Sequence, residues 1–317
     1  MNKLKIFIFK IIFSLILFSG SSFAKNIPPG SGIGDVPANI LILLDKSGSM
    51  SVRMTSGSGF MYPYSAAADS SGDVYVGSYW TYGIKKLTYA TGAVDTSFAS
   101  SGTYTGSGNC RSYYPMNIKI HNGYMYVASY YQHRVFRVNL STGACDWNHY
   151  IRYARNIAIG NNILYATGYY GNAVIRNLST NSNISCSWSG NLKSYTDYGS
   201  MAVDASGNNL YGFEFRYIYR VPINQSNKCP STGYASRIRT NTNYVFGADT
   251  HPSDDKILYI NNYYSHRVEK ITLNTSLNGI QSTSTAGRCC TGKSSSSNIR
   301  MYYPCLLYTS PSPRDVC

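Results

Sequence analysis

Charge is scarce in this chain. Only 13% of its 317 residues are charged, 28 of them basic and 14 acidic, and histidine occurs 5 times. No stretch gathers the lysines and arginines into a run, so the formal charge of +14 reads as a solvated basic surface and not as a nucleic-acid footprint. An acidic glycan or a cell surface suits that charge better. Catalytic signatures are weak too: no Ser/His/Asp order, His-x-x-x-His pair or paired carboxylates stand out. The expectation is therefore a non-enzymatic chain. Beyond residue 24 no apolar run is long enough to span a bilayer, and none of the chain is expected to do so. Tyrosine (31) and glycine (28) are abundant instead, a balance that favours strands and turns over helices.

The first residues have the form of a targeting segment. Lys3, Lys5 and Lys10 supply positive charge, "IFIFKIIFSLILF" is apolar, and "SSFA" ends in small residues suited to cleavage after Ala24. Residues 1–24 are thus expected to be a signal peptide, with a secreted, cell-surface or periplasmic product. Without those three lysines the charge is about +11. No lipid-acceptor cysteine follows the cleavage site.

Residues 40–50 read "ILILLDKSGSM". The apolar run Ile40–Leu44 predicts a strand buried on both faces of a parallel sheet. Asp45, Ser47 and Ser49 follow at alternate positions, on a turn set to open a helix. The combination resembles the start of a von Willebrand factor type A domain, whose metal site is built on Asp-x-Ser-x-Ser. The resemblance implies Mg2+ or another divalent cation in the full-length protein, since hard cations prefer oxygen ligands. The family's remaining threonine and aspartate ligands come from later loops, and no segment here matches them. This chain by itself is expected to hold the metal weakly or not at all. An ordinary helix N-cap at Ser47 or Ser49 is the plain alternative.

Residues 305–315, "CLLYTSPSPRD", coincide with the translation of a transposase-type sequencing adapter. Residues 305–317 are therefore expected to be non-native, with the native sequence running to about Pro304. Between the two ends the chain repeats itself. Five segments align on Tyr75, Tyr126, Tyr165, Tyr211 and Tyr259, spaced by roughly 40 to 50 residues. Each has a strand, a turn of the "SSGD" or "SGNN" kind, a second strand, an aromatic loop and a third strand, with room for an outer fourth. This pattern resembles NHL-type β-propeller repeats. It implies an all-β chain in which residues 58–304 form five blades and the start of a sixth at "NIRMYYP". Residues 25–57 would be the beginning of the type A domain, into which the propeller is inserted; a closed propeller brings its ends together and fits such a splice. A vestigial strand followed by an independent propeller is the competing reading.

The aromatic loops are the candidate ligand site. Tyr79, Trp80 and Tyr82, then Tyr130 and Tyr131, Tyr169 and Tyr170, Phe215 and Tyr217, and Tyr263 and Tyr264 fall at equivalent places in successive repeats. With Arg134, Arg216 and Arg267 nearby, such rings could ring a channel mouth and stack on sugars or grip a peptide. Packing between blades would account for them equally well. Cys145, Cys186 and Cys229 recur after the third strands, and export permits disulfides. Blades splay at their outer strands, which makes bonds between equivalent cysteines of neighbours an unfavourable expectation. The function these features suggest is a secreted or surface-exposed bacterial adhesion protein recognising an extracellular protein or glycan, metal-dependent in its full-length form. An extracellular propeller lyase or hydrolase, or a structural module of a large surface protein, are the alternatives.

Overall fold

The computed structural model describes residues 63–78, 82–89, 93–186, 200–231, 236–240, 245, 247–262 and 267–288, and the backbone of 42–44 and 305–307. The chain divides into two compact units, Met1–Asp35 and Val36–Cys317, and every described residue lies in the second.

After a short strand β1 (Ile42–Leu44), five antiparallel four-stranded sheets follow in sequence order. Blade 1 is β2 (Pro63–Ala68), β3 (Val74–Ser78), β4 (Ile84–Leu87) and β5 (Thr103–Tyr104). Blade 2 is β6 (Pro115–His121), β7 (Tyr124–Ser129), β8 (Arg134–Asn139) and β9 (Cys145–Tyr150). Blade 3 is β10 (Ala154–Gly160), β11 (Ile163–Gly168), β12 (Ala173–Asn177) and β13 (Ser182–Ile184). Blade 4 is β14 (Ser200–Val203), β15 (Asn209–Glu214), β16 (Tyr217–Pro222) and β17 (Ser236–Arg239). Blade 5 is β18 (Ala248–Thr250), β19 (Ile257–Asn262), β20 (Arg267–Leu273) and β21 (Ile280–Arg288), and β22 (Cys305–Leu307) comes last. Within each blade, strands pair with their sequence neighbours, and first strands of successive blades lie side by side. The fold is a β-propeller.

The turns explain the hairpins. Asn122 and Gly123 (φ 48 and 75) join β6 to β7, and Asn161 and Asn162 (φ 49 and 58) join β10 to β11. Two left-handed residues in a two-residue loop match the twist of the strands they connect. In blades 1 and 4 an aspartate organises the longer turn. Asp69 Oδ1 accepts the N–H groups of Ser71 (3.0 Å) and Asp73 (3.1 Å), and Asp204 Oδ1 those of Asn208 (2.8 Å) and Asn209 (3.0 Å).

The repeated tyrosine supplies the packing. Tyr126 meets the blade 3 core, Tyr165 the blade 4 core and Tyr211 the blade 5 core, each at most 1% exposed. A blade has two apolar faces and cannot bury both alone; radial stacking buries them. Each fully buried Phe136 or Phe213 contributes about 2–3 kcal/mol by transfer from water.

Two expectations need correction. The strand at Ile42–Leu44 pairs antiparallel with Cys305–Leu307, not in a parallel sheet. Parallel neighbours need crossover helices, and among the described residues the only helical element is a 3-10 turn at Gly108–Cys110. β22 lies against β2, β18 and β19. Second, Cys186 and Cys229 of neighbouring blades do bond, with Cα atoms 5.7 Å apart. The partners are not level: Cys186 follows the outer strand of blade 3, while Cys229 sits in the β16–β17 loop of blade 4, which crosses the splay. Cys110, in the 3-10 turn, likewise joins Cys145 on β9.

Candidate ligand-binding face

An antiparallel four-stranded blade puts its β-to-β loops at alternate ends. The loops between second and third strands share one end with the linkers between blades. Just before the third strand, Tyr82 (φ 48), His133 (φ 56), Gly171 (φ 69) and Phe215 (φ 48) all turn left-handed. The loops are clamped to the linkers by backbone bonds. Tyr130 N–H donates to the Tyr114 carbonyl (3.0 Å), Tyr169 N–H to that of Tyr153 (3.1 Å), and Val245 N–H to that of Phe215 (3.1 Å).

This clamping brings the tyrosines of loop and linker into one belt over blades 1 to 3. Tyr82 stacks on Tyr113 (centroids 4.3 Å), Tyr113 meets Tyr131 (5.9 Å), and Tyr131 lies against Tyr114 (5.3 Å) and Tyr130 (5.1 Å). Tyr130 then contacts Tyr153 (4.8 Å), which contacts Tyr170 (5.7 Å), itself edge-on to Tyr169 (4.9 Å). The Arg152 guanidinium lies 4.5 Å from the Tyr170 ring centre, and that of Arg155 lies between Tyr130 (5.6 Å) and Tyr169 (5.5 Å). Tyr131 and Tyr170 remain 47% and 57% exposed, so the belt presents ring surface to solvent. His133 braces it from below, its Nδ1 accepting the Tyr153 N–H at 2.9 Å. Burial, helped by the charge of Arg152, lowers the His133 pKa and keeps the ring neutral for that role.

Of the residues expected from sequence, Tyr82, Tyr130, Tyr131, Tyr169 and Tyr170 come together in the belt. Phe215 is exposed at the tip of the blade 4 loop. Tyr217 instead packs against the core between blades 3 and 4, with Arg237 over its ring at 4.4 Å. Arg134 turns to the outer strand, where its Nη1 donates to Asn148 Oδ1 at 2.7 Å. Asp45, Ser47, Ser49, Tyr79, Trp80, Tyr263, Tyr264 and the side chain of Arg267 lie outside the described residues. Sequence reasoning missed Tyr113, Tyr114, Tyr153, Arg152 and Arg155. The signal was present: every repeat opens on a tyrosine, namely Tyr62, Tyr114, Tyr153, Tyr198 and Tyr244.

The channel itself is bridged. At the first-strand position paired with the repeated tyrosine, blades 1, 3 and 4 carry Ala67, Ala158 and Ala202, while blades 2 and 5 carry Lys119 and Asp249. Those two blades are not neighbours, yet Lys119 Nζ lies 2.7 Å from Asp249 Oδ2. The pair therefore joins the inner strands of two non-adjacent blades across the central space. Among the described residues no cluster of three His, Cys, Asp or Glu side chains could hold a metal, and no helix is long and apolar enough to cross a membrane.

No family model and no curated protein matches the sequence. Similar solved structures include the hydrazine synthase of Kuenenia stuttgartiensis, at 14% identity and TM-score 0.47 over 68% of this chain and 66% of that one. A streptogramin B lyase is similar at 13% identity and TM-score 0.49, over 80% and 74%. A chain of a mitotic checkpoint complex is similar at 12% identity and TM-score 0.50, over 82% and 72%. Likeness at this level is one of fold. Two of these neighbours are enzymes by name. The expectation of a non-enzymatic chain is withdrawn, because likeness of fold gives no ground for excluding catalysis.

Proposed function

We propose that the chain is an NHL-like propeller serving as the recognition part of an exported adhesion protein, and that its tyrosine belt contacts an extracellular protein or glycan. The observation that carries this reading is the continuous belt from Tyr82 to Tyr170, with ring faces exposed at Tyr131 and Tyr170 and an arginine laid over Tyr170. Large, stiff rings give contact area at low entropic cost, and guanidinium groups add planar hydrogen bonding. The type A motif belongs to the same proposal. A divalent cation at Asp45, Ser47 and Ser49 would make adhesion by the full-length protein sensitive to chelator.

The test is binding to fixed bacterial and host cells and to a glycan array. Wild type is expected to bind, and the double variant Tyr131→Ala/Tyr170→Ala to lose at least about tenfold in affinity, a loss of two exposed stacking contacts. Retained affinity in the double variant, with an unchanged melting curve, would move recognition off this face.

A further inference from the structure

The two ends of the propeller differ in charge. On the loops of the belt end, among the described residues, the charged side chains are Arg111, Arg152 and Arg216, and no carboxylate accompanies them. Arg134, Arg155 and Arg239 stand on adjoining strands, and Glu214 is the carboxylate at the tip of β15. The opposite loops carry Asp69, Asp73, Asp95, Asp204, Asp254 and Asp255, with Lys228 and Lys256 but no arginine. Those carboxylates are engaged locally: Asp73 and Asp95 hold Lys86 (2.8 and 3.3 Å), Asp204 holds its own turn, and Asp255 accepts the Ser206 N–H at 2.8 Å. Among the described residues, the belt-end loops hold no carboxylate of that kind.

We propose, on the footing that the belt is the binding face, that its ligand is an anionic polysaccharide. Three features point the same way. The exposed rings recur from blade to blade, so they suit a ligand that repeats a flat apolar face, as the C–H face of a sugar does. The Arg152 guanidinium lies over the rings of Tyr153 and Tyr170, at 5.6 and 4.5 Å, and a guanidinium fork suits a carboxylate or sulfate side-on. Arg111 is exposed on the linker that carries Tyr113, so a second cation stands at the far end of the same belt. A polymer with a negative group on each unit would meet ring and cation alternately. Single-stranded nucleic acid offers stacking and charge as well, but an exported chain meets polysaccharide first, and the test separates them.

The experiment is equilibrium binding of the purified chain to three probes at low and high salt: a sulfated or uronate polysaccharide, a neutral polysaccharide of similar length, and single-stranded DNA of mixed sequence. The expected result is binding to the anionic polysaccharide that weakens steeply with salt. Arg152→Gln is expected to lower affinity about tenfold, with a shallower salt slope, and Tyr170→Ala about tenfold with the slope kept. Thermal melts of both variants report folding separately. Equal binding of the neutral polymer, unaffected by Arg152→Gln but abolished by Tyr170→Ala, would overturn the anionic assignment and leave the face intact. DNA bound more tightly than the polysaccharide would overturn it in favour of nucleic acid. Binding of any probe that neither variant alters would overturn both the ligand and the face.

Discussion

The two ends of this propeller are built from the same repeats yet spend their polar groups differently. At the turn end, side chains close on neighbouring turns from blade to blade. His121 Nε2 meets Asn162 Oδ1 (2.6 Å), Asn161 Nδ2 donates to the Ser206 carbonyl (2.7 Å), and Ser206 N–H donates to Asp255 (2.8 Å). At the belt end, backbone bonds, the Ser112 and Ser129 hydroxyls and the His133 ring tie loops to linkers, while Tyr131, Tyr170 and Arg152 present ring surface and guanidinium to solvent. One end ties neighbouring turns together through side chains; the other exposes ring surface. On the proposed function, stability and recognition would fall to opposite ends of the same strands.

That division can be broken by substitution. The largest effect is expected at Asp204, which is 2% exposed and accepts from Asn208 N–H, Asn209 N–H and Asn209 Nδ2 (2.6 Å). Burial raises its pKa, with those hydrogen bonds opposing the rise. Asp204→Ala leaves the donors unpartnered and is expected to cost about 2–3 kcal/mol in a denaturant titration. Belt affinity at a temperature where the variant is folded should be unchanged; a parallel loss would show that the ends are coupled.

Acid should come next. His133, His149 and His251 all have lowered pKa values, chiefly through burial, with Arg152 adding to the effect at His133 and Arg176 and Arg134 at His149. Their folded values lie below 6.5, so the unfolded chain takes up these protons first. Their contribution is present above the unfolded pKa and is lost as pH falls through the folded values. Melting temperature is therefore expected to drop from about pH 6.5 downward, before the carboxylates titrate. His133→Gln should flatten that slope and, by loosening the Tyr153 linker, lower belt affinity with it. A slope unchanged in the variant would remove His133 from the account.

Much of this architecture was legible. A tyrosine returning in the middle strand of five repeats marks the one position that must enter the neighbouring core, and Tyr75, Tyr126, Tyr165, Tyr211 and Tyr259 are all buried. Asn-Gly and Asp-organised turns were equally readable, because each is a local backbone requirement. The belt was half legible: Tyr130, Tyr131, Tyr169 and Tyr170 were visible as loops, but Tyr114 and Tyr153 join them through bonds between loop and linker that no periodicity displays. Lys119 and Asp249 lie 130 residues apart, and only closure of the ring makes them partners. Cys186 and Cys229 escaped for a related reason, since one follows the outer strand of its blade and the other precedes it, a difference hidden until the fourth strands are placed.

The smallest effect should follow from Tyr131→Ala, and its smallness sharpens the comparison. Tyr131 is a large residue with ring contacts to Tyr113, Tyr114 and Tyr130, so a count of contacts alone would rank it with the core. Nearly half of its surface is already in water, however, and removing it exposes rings that are themselves only partly buried. Little apolar area changes environment, no buried donor is orphaned, and the Tyr131 N–H bond to the Tyr113 carbonyl (3.3 Å) survives as backbone. The expected cost is about 1 kcal/mol or less, read from the same denaturant titration as Asp204→Ala. If the belt is the binding face, as proposed, ligand affinity should fall by far more than that figure would suggest. A stability loss equal to that of Asp204→Ala, with affinity kept, would reverse the roles of the two ends.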